Sequence, residues 1–235
     1  MAPLTTIVTI CARGGSKGLP GKNTRDFHGK PLIAHSIAQA LACPAIDAVY
    51  VSTDDAGIAE IASAAGARVP YLRPSALATD AAPKLPAIEH LVAYLEAQSQ
   101  QIDRIVDLQP TSPLRQPGDI SAALSCNPDA DLVVSVSLAA DNPYFNLVEP
   151  DAAGWLHLSK GDGSTRRQDA PRVYALNGSI YVWQRDALRR SAETGLWRNR
   201  IAAYVMPRWK SVDIDDQDDF DHAQWLYLRH QGELS

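Results

Sequence analysis

The chain has 235 residues, 46% of them hydrophobic, and a formal net charge of −5 at pH 7. That length supports one substantial core, and the acidic balance excludes a nucleic-acid surface as the main partner. No run approaches a membrane span and the N-terminus lacks a secretory apolar segment, so a cytoplasmic protein with no membrane partner is expected.

In chain order, residues 7–11 read as a buried strand. The strand runs into Cys11-Ala12-Arg13-Gly14-Gly15-Ser16-Lys17-Gly18-Leu19-Pro20-Gly21-Lys22-Asn23, with four glycines and three cations. Glycines let a backbone turn tightly and bring its N–H groups close to a ligand. Arg13, Lys17 and Lys22 would supply charge for a strong anion, with triphosphate the candidate. A flexible turn is the plainer alternative. The loop is not a Walker A sequence, because Gly21-Lys22 is followed by Asn23 and Gly29-Lys30 by Pro31, where Ser or Thr is required. Nor does it hold the Gly-x-Gly-x-x-Gly of dinucleotide sites.

A helix is expected over residues 31–41, with Ile33, Ile37 and Leu41 on one side, then a strand over 48–51. Val51-Ser52-Thr53-Asp54-Asp55 leads into a helix over 54–65, and a strand is expected over 68–71. Leu85, Ile88, Leu91, Val92 and Leu95 predict a helix over 84–98, followed by a strand over 104–108. Asp107-Leu108-Gln109-Pro110-Thr111-Ser112-Pro113-Leu114-Arg115 then presents polar groups on a proline-stiffened loop. After a strand over 132–136, the stretch 139–175 is rich in Asp, Asn, Gly and Pro. It reads as a small excursion from the sheet. Its apolar residues, Trp155 among them, need a surface to cover, and a second protomer competes evenly with the chain's own body for that place. Strands over 179–182 and 202–205 and a helix over 217–230 complete the series.

Strand–helix alternation of this kind predicts one domain over 1–235, an α/β fold with a Rossmann-like, mostly parallel sheet and helices on both faces. Such sheets bind ligands beyond the carboxyl ends of their strands, where the opening loop and the Gln109 loop both fall. In Val212-Asp213-Ile214-Asp215-Asp216 an extended backbone would turn Asp213 and Asp215 to the same side. Two carboxylates facing one way suit magnesium, which takes one or two carboxylates with phosphate oxygens. Asp216, Asp218 and Asp219 are expected only to favour a helix N-terminus. Cys11, Cys43 and Cys126 form no Cys-x-x-Cys pair and are expected as buried thiols. The six histidines lack metal-ligand spacing.

Taken together, the opening loop, Arg73-Pro74 ahead of Leu77-Ala78-Thr79-Asp80, the Gln109 loop, Tyr174-Ala175-Leu176-Asn177-Gly178-Ser179-Ile180-Tyr181 and Asp213-Ile214-Asp215 resemble, in order, the motifs of the cytidylyltransferases that activate nonulosonic acids. The resemblance spans residues 7–227. It implies a nucleotide-diphospho-sugar transferase-like fold, CTP and a nonulosonic acid as substrates, a CMP-sugar and pyrophosphate as products, Mg2+ as cofactor, and a homodimer using 139–175 for dimerisation and sugar binding. It implies nucleotide contacts from Ala12, Arg13, Gly14, Gly15, Ser16, Lys17, Lys22, Asn23 and Arg73, and sugar contacts from Gln109, Arg167, Asn177 and Tyr181. Asp213 and Asp215 would hold the metal, and Arg13, Lys17, Lys22 and Asp215 would carry the catalytic charge. Ala82-Pro83-Lys84 stands where sialate enzymes carry a serine pair, which leaves Lys84 as an alternative cation for the triphosphate. Ala175 stands where they carry an arginine, and the run from Arg166 to Gly178 is closer to the legionaminate-type branch. The alternatives are a Kdo or sugar-1-phosphate nucleotidyltransferase and, from another class, a nucleotide-binding regulatory module without turnover.

Overall fold

The computed structural model describes residues 4–161 and 163–234. Strand β1 (Thr6–Cys11) leads through the glycine-rich loop to a small antiparallel hairpin, β2 (Asp26–Phe27) and β3 (Lys30–Pro31). Then come α1 (Leu32–Leu41), β4 (Ala48–Ser52), α2 (Ala56–Ala64), α3 (Lys84–Ala97) and β5 (Arg104–Leu108). They are followed by α4 (Pro117–Ser125), β6 (Leu132–Leu138), and β7 (Val148–Pro150) paired with β8 (Leu156–Leu158). The long β9 (Tyr174–Gln184), α5 (Arg185–Thr194), β10 (Ile201–Val205) and α6 (Gln217–Arg229) follow.

Six strands form the main sheet in the order β10-β6-β9-β5-β1-β4. The pairs β1–β4, β1–β5 and β6–β10 are parallel, and β9 runs antiparallel to both β5 and β6. Strand side chains alternate between faces. Val8, Ile10, Val106, Leu108, Ile180 and Val182 therefore meet α1, α2 and α4 on one face. Ile7, Tyr50, Ile105 and Trp183 meet α3 and α5 on the other. Each buried Ile or Leu contributes about 2 kcal/mol by leaving water. The same alternation sends Thr9, Asp107 and Tyr181, at the carboxyl end of β1 and β5 and opposite them on β9, toward the α3 face. A third cluster packs Phe220, Ala223 and Leu226 of α6 against Leu19, Phe27, Leu114 and Ile214. Helix α6 thereby clamps the glycine-rich loop to the 213–215 segment.

The expected strand at 68–71 is a correction. It reduces to two isolated bridges, Tyr50 with Arg68 and Thr53 with Leu72, because Pro70 has no N–H to give a ladder. Helices α4 and α5 were not expected. Pro117 at the first turn and Gly118 disguise α4, yet a reciprocal capping box between Gln116 and Asp119 starts it. Few apolar residues mark α5; Arg185 ties it to α3 through Glu89 and Glu96, with N···O distances of 2.7 and 2.6 Å. Asp216 and Asp219 form a capping box at the start of α6. Of the three thiols expected to be buried, only Cys43 is; Cys11 is half-buried and Cys126 exposed. No helix among the described residues is long and apolar enough to cross a membrane.

Candidate active site

At the carboxyl ends of β1 and β5, a cleft of about 370 Å³ is lined by Arg13, Lys22, Asn23, Arg73, Lys84 and Gln109, among others. Its first wall is the glycine-rich loop. Ala12 N–H donates to the Ser52 carbonyl at 3.0 Å, which fastens the loop to the end of β4. Leu19 is buried in the α6 cluster, and Gly21 takes a φ of +67° to start the short turn Lys22–Thr24. A Cβ added at Gly18 would collide with the Asp215 carbonyl oxygen. Gly18 thus lets the loop lie against the carboxylate segment, a requirement the sequence reading did not assign to it.

Ile214 is fully buried, and its neighbours Asp213 and Asp215 turn the other way, as extended backbone requires. Asp213 accepts from the Gln109 amide nitrogen at 2.9 Å and from the Thr111 hydroxyl at 2.5 Å. Asp215 accepts from Lys22 Nζ at 3.0 Å, and Ile214 N–H donates to the Thr111 carbonyl at 3.0 Å. The two carboxylates therefore stand on one side of their segment, facing residues of the cleft wall. Among the described residues no group of three or more His, Cys, Asp or Glu side chains is placed to hold a metal ion. A cation on Asp213 and Asp215 would need ligand oxygens to complete its shell, which suits magnesium beside a phosphate.

Across the cleft, Asp80 pairs with Arg13 at 3.1 Å and with Lys17 at 2.5 Å. The hydrogen bond from Lys17 holds the Asp80 carboxyl below the ordinary carboxylate range. Arg73 is buried, and its Nη2 lies 3.6 Å from Asp54 Oδ1, which also accepts from Gly14 N–H at 3.2 Å. Arg73 Nε and Asn23 Oδ1 are buried without a hydrogen-bond partner among the described residues. Both residues line the cleft, so the wall holds polar atoms whose hydrogen-bonding capacity the protein leaves over.

The inner end of the cleft adjoins a smaller, mostly apolar cavity of about 210 Å³, which shares Lys84 and Gln109 with it and adds Asp107, Tyr181 and Trp183. Asp107 is 1% exposed, accepts from the Thr9 hydroxyl at 3.1 Å, and pairs with Lys84 at 2.5 Å. Burial opposes the Lys84 charge, but the Asp107 carboxylate outweighs it and holds the ammonium above its ordinary range. Burial and then Asp107 push the Cys11 thiol up to about 12. Cys11 is therefore an inert wall residue and not a nucleophile at neutral pH.

Ala12, Arg13, Ser16, Lys22, Asn23, Arg73 and Gln109 come together in the main cleft, and Tyr181 lies in the adjoining cavity. Gly14 and Gly15 sit in the loop, and Lys17 reaches the lip at Asp80. Asn177 is not brought to either wall. Its Oδ1 accepts from Ser135 Oγ at 2.6 Å, and its Nδ2 donates to Ser211 Oγ at 2.9 Å, so the amide braces a β9 irregularity beside Ser135. Arg167 lies on the excursion, where it donates to the Ala140 carbonyl at 2.8 Å and caps Phe145. The pairing of buried Asp107 with Lys84, whose side chain is 35% exposed, was not foreseen. The available signal was a carboxylate inside the apolar strand Arg104–Leu108, which needs a buried partner. Arg115 was legible only as part of a motif. It is fully buried and donates to the Ser179 carbonyl at 2.8 Å and to Ser36 Oγ at 2.7 Å, fixing the Gln109 loop to β9 and α1. Burial lowers its pKa to about 9, so it remains protonated at neutral pH.

Comparison with known proteins bears on the family and the fold. Residues 7–147 match the cytidylyltransferase family model. A CMP-N,N'-diacetyllegionaminic acid synthase of Legionella pneumophila is 38% identical over 185 residues, 75% of this chain and 76% of that protein. The Campylobacter jejuni protein of the same name is 35% identical over 223 residues, 94% of each chain. A CMP:2-keto-3-deoxy-manno-octonic acid synthetase solved with CTP superimposes with a TM-score of 0.70, covering 96% of this chain and 99% of the other. At 20% identity it supports the fold alone.

Proposed function

We propose that this chain, which belongs to the cytidylyltransferase family, transfers the CMP unit of CTP to a nonulosonic acid of the legionaminic type. The observation that carries the reading is the convergence of Arg13 and Lys22, Asp213 and Asp215, and Gln109 around one cleft. A bond forms from the sugar's anomeric oxygen to the α-phosphorus as the bond to the bridging oxygen breaks. Pyrophosphate leaves with that electron pair, and the hydroxyl proton is released. Such a reaction depends on in-line positioning and charge neutralisation more than on covalent help from the protein.

Arg13, Lys17 and Lys22 neutralise the triphosphate, with loop N–H groups beside it. Ala12, Asn23 and Arg73 complete the nucleotide wall. Asp213 and Asp215 would hold Mg2+, which when bound would supply positive charge to offset that of the phosphates. Gln109 and Tyr181 orient the sugar. The likeness to two legionaminate enzymes, together with Ala175 in place of an arginine, favours that branch over sialic acid. CTP and free thiols both point to a cytoplasmic enzyme. The exposed Leu147, Val148, Trp155 and Leu156 on the excursion support a homodimer. A sedimentation mass of one chain at micromolar concentration would contradict the dimer.

The test is pyrophosphate release from CTP with legionaminic, sialic, pseudaminic and Kdo acids side by side. Turnover is expected to be highest with the legionaminic acid. Release with none of the four would refute the reading. A CTP-induced rise in Tm without product would favour a regulatory binding module.

A further inference from the structure

The side chain of Gln109 is held on three sides. Its Oε1 lies 3.3 Å from Lys84 Nζ, which can only donate. Its Nε2 lies 2.9 Å from Asp213 Oδ2, which as a carboxylate can only accept. Below it is Gly178, whose φ of +69° is one that glycine adopts readily. A Cβ there would stand 3.7 Å from the Gln109 Cδ, Nε2 and Oε1 alike, so the amide lies face-on over the Gly178 backbone.

A glutamine amide has two ends of nearly equal size and opposite hydrogen-bonding sense. Reversing this one would set N–H groups against an ammonium and oxygen against a carboxylate. We infer that Lys84 is a positioning residue: with Asp107 holding it from behind, its ammonium fixes which end of the Gln109 amide faces each substrate. The lock leaves one N–H of Nε2 and one lone pair of Oε1 at set places where the two cavities meet. A fixed N–H donor there suits an oxygen acceptor on the acid sugar, such as its carboxylate or acyl carbonyl. The ion pair also explains the strand. Asp107 is the charged residue between Val106 and Leu108, and Lys84 on the first turn of α3 is its salt-bridge partner.

This inference rests on the reading that Gln109 meets the sugar, and the test separates the two. Lys84→Met alone strands a buried carboxylate and should lower Tm by about 10 °C. The double variant Lys84→Met/Asp107→Leu removes both charges from an apolar strand face and should restore Tm. Steady-state KM values for sugar and for CTP are then measured separately on the double variant and on Gln109→Ala. The double variant is expected to keep a sugar KM raised about tenfold, with the CTP KM unchanged. A sugar KM restored to the wild-type value along with Tm would show that the pair is structural only and overturn the inference. A rise in the CTP KM instead would place the ammonium on the triphosphate and overturn it equally. An unchanged sugar KM in Gln109→Ala would remove Gln109 from the sugar site, a separate failure.

Discussion

The two ends of the cleft are built on opposite principles. At the outer end the carboxylates Asp80 and Asp215 are accessible, although Lys22 is 11% exposed. Lys17 is 81% exposed, Asp80 47% and Asp215 77%, and each makes an ion pair that solvent screens. At the inner end Asp107 and Arg115 are 1% exposed, and the polar groups are bound into one network through Thr9, Lys84, Gln109 and Asp213. Exposed pairs cost little to separate, so cations held this way can pass from a protein carboxylate to a phosphate. Breaking a pair whose carboxylate is buried strands that carboxylate away from water, so the Asp107–Lys84 pair keeps its geometry. On the proposed function, the contrast places charge exchange at the nucleotide end and discrimination at the sugar end.

Four substitutions would break or sharpen that contrast. Asp215→Asn should have the largest effect. It weakens both the proposed magnesium site and the Lys22 pair, and kcat at saturating CTP should fall about a hundredfold. Normal turnover at low magnesium would refute the metal role. Gly18→Ala should come next, because its methyl group pushes the loop off the Asp215 carbonyl. A kcat/KM for CTP lower by about thirtyfold is expected from misplacement on this scale, with Tm lowered as well because the clash is with backbone. A wild-type value would show that the two segments need not touch.

Tyr181→Phe keeps the ring beside Lys84, 5.9 Å from its ammonium, and removes only the hydroxyl. The sugar KM should rise about fivefold with no change for CTP; an equal rise for both would erase the division between the two ends. Asp80→Asn should have the smallest effect and the opposite sign. It removes a carboxylate that competes with phosphate for Arg13 and Lys17, so the KM for CTP should fall about threefold. The Asp80 carboxyl is held below its ordinary value of 3.8. Its charge is present above that value and is lost only as pH falls through the lowered one. The gain should therefore be constant across the neutral range; a KM that rises would make Asp80 a contributor to nucleotide binding.

Much of the sheet was legible, because alternation and helical spacing are local properties. The strands at 104–108 and near 7–11, 48–51, 132–136 and 202–205 stand where the apolar runs put them. The missing strand near Arg68 and the unforeseen α5 mark the limit. One depends on whether Pro70 can join a neighbour's ladder, the other on a glutamate pair about 90 residues away.

The same boundary runs through the site. By itself the sequence determined that a glycine- and cation-rich loop follows the first strand, that no Walker hydroxyl accompanies it, and that Asp213 and Asp215 face one way. Each of these follows from residue type and short-range backbone geometry. Only the tertiary structure decided that Asn177 braces β9 and leaves the cavity wall to Gln109, that Gly18 admits the carboxylate segment to the loop, and that Lys84 and Asp213 hold the Gln109 amide by its two ends. Those partners lie 25 and 104 positions from Gln109 along the chain. No local pattern encodes which distant donor meets which acceptor; the packing of α3, β5 and the 213–215 segment around the sheet end does.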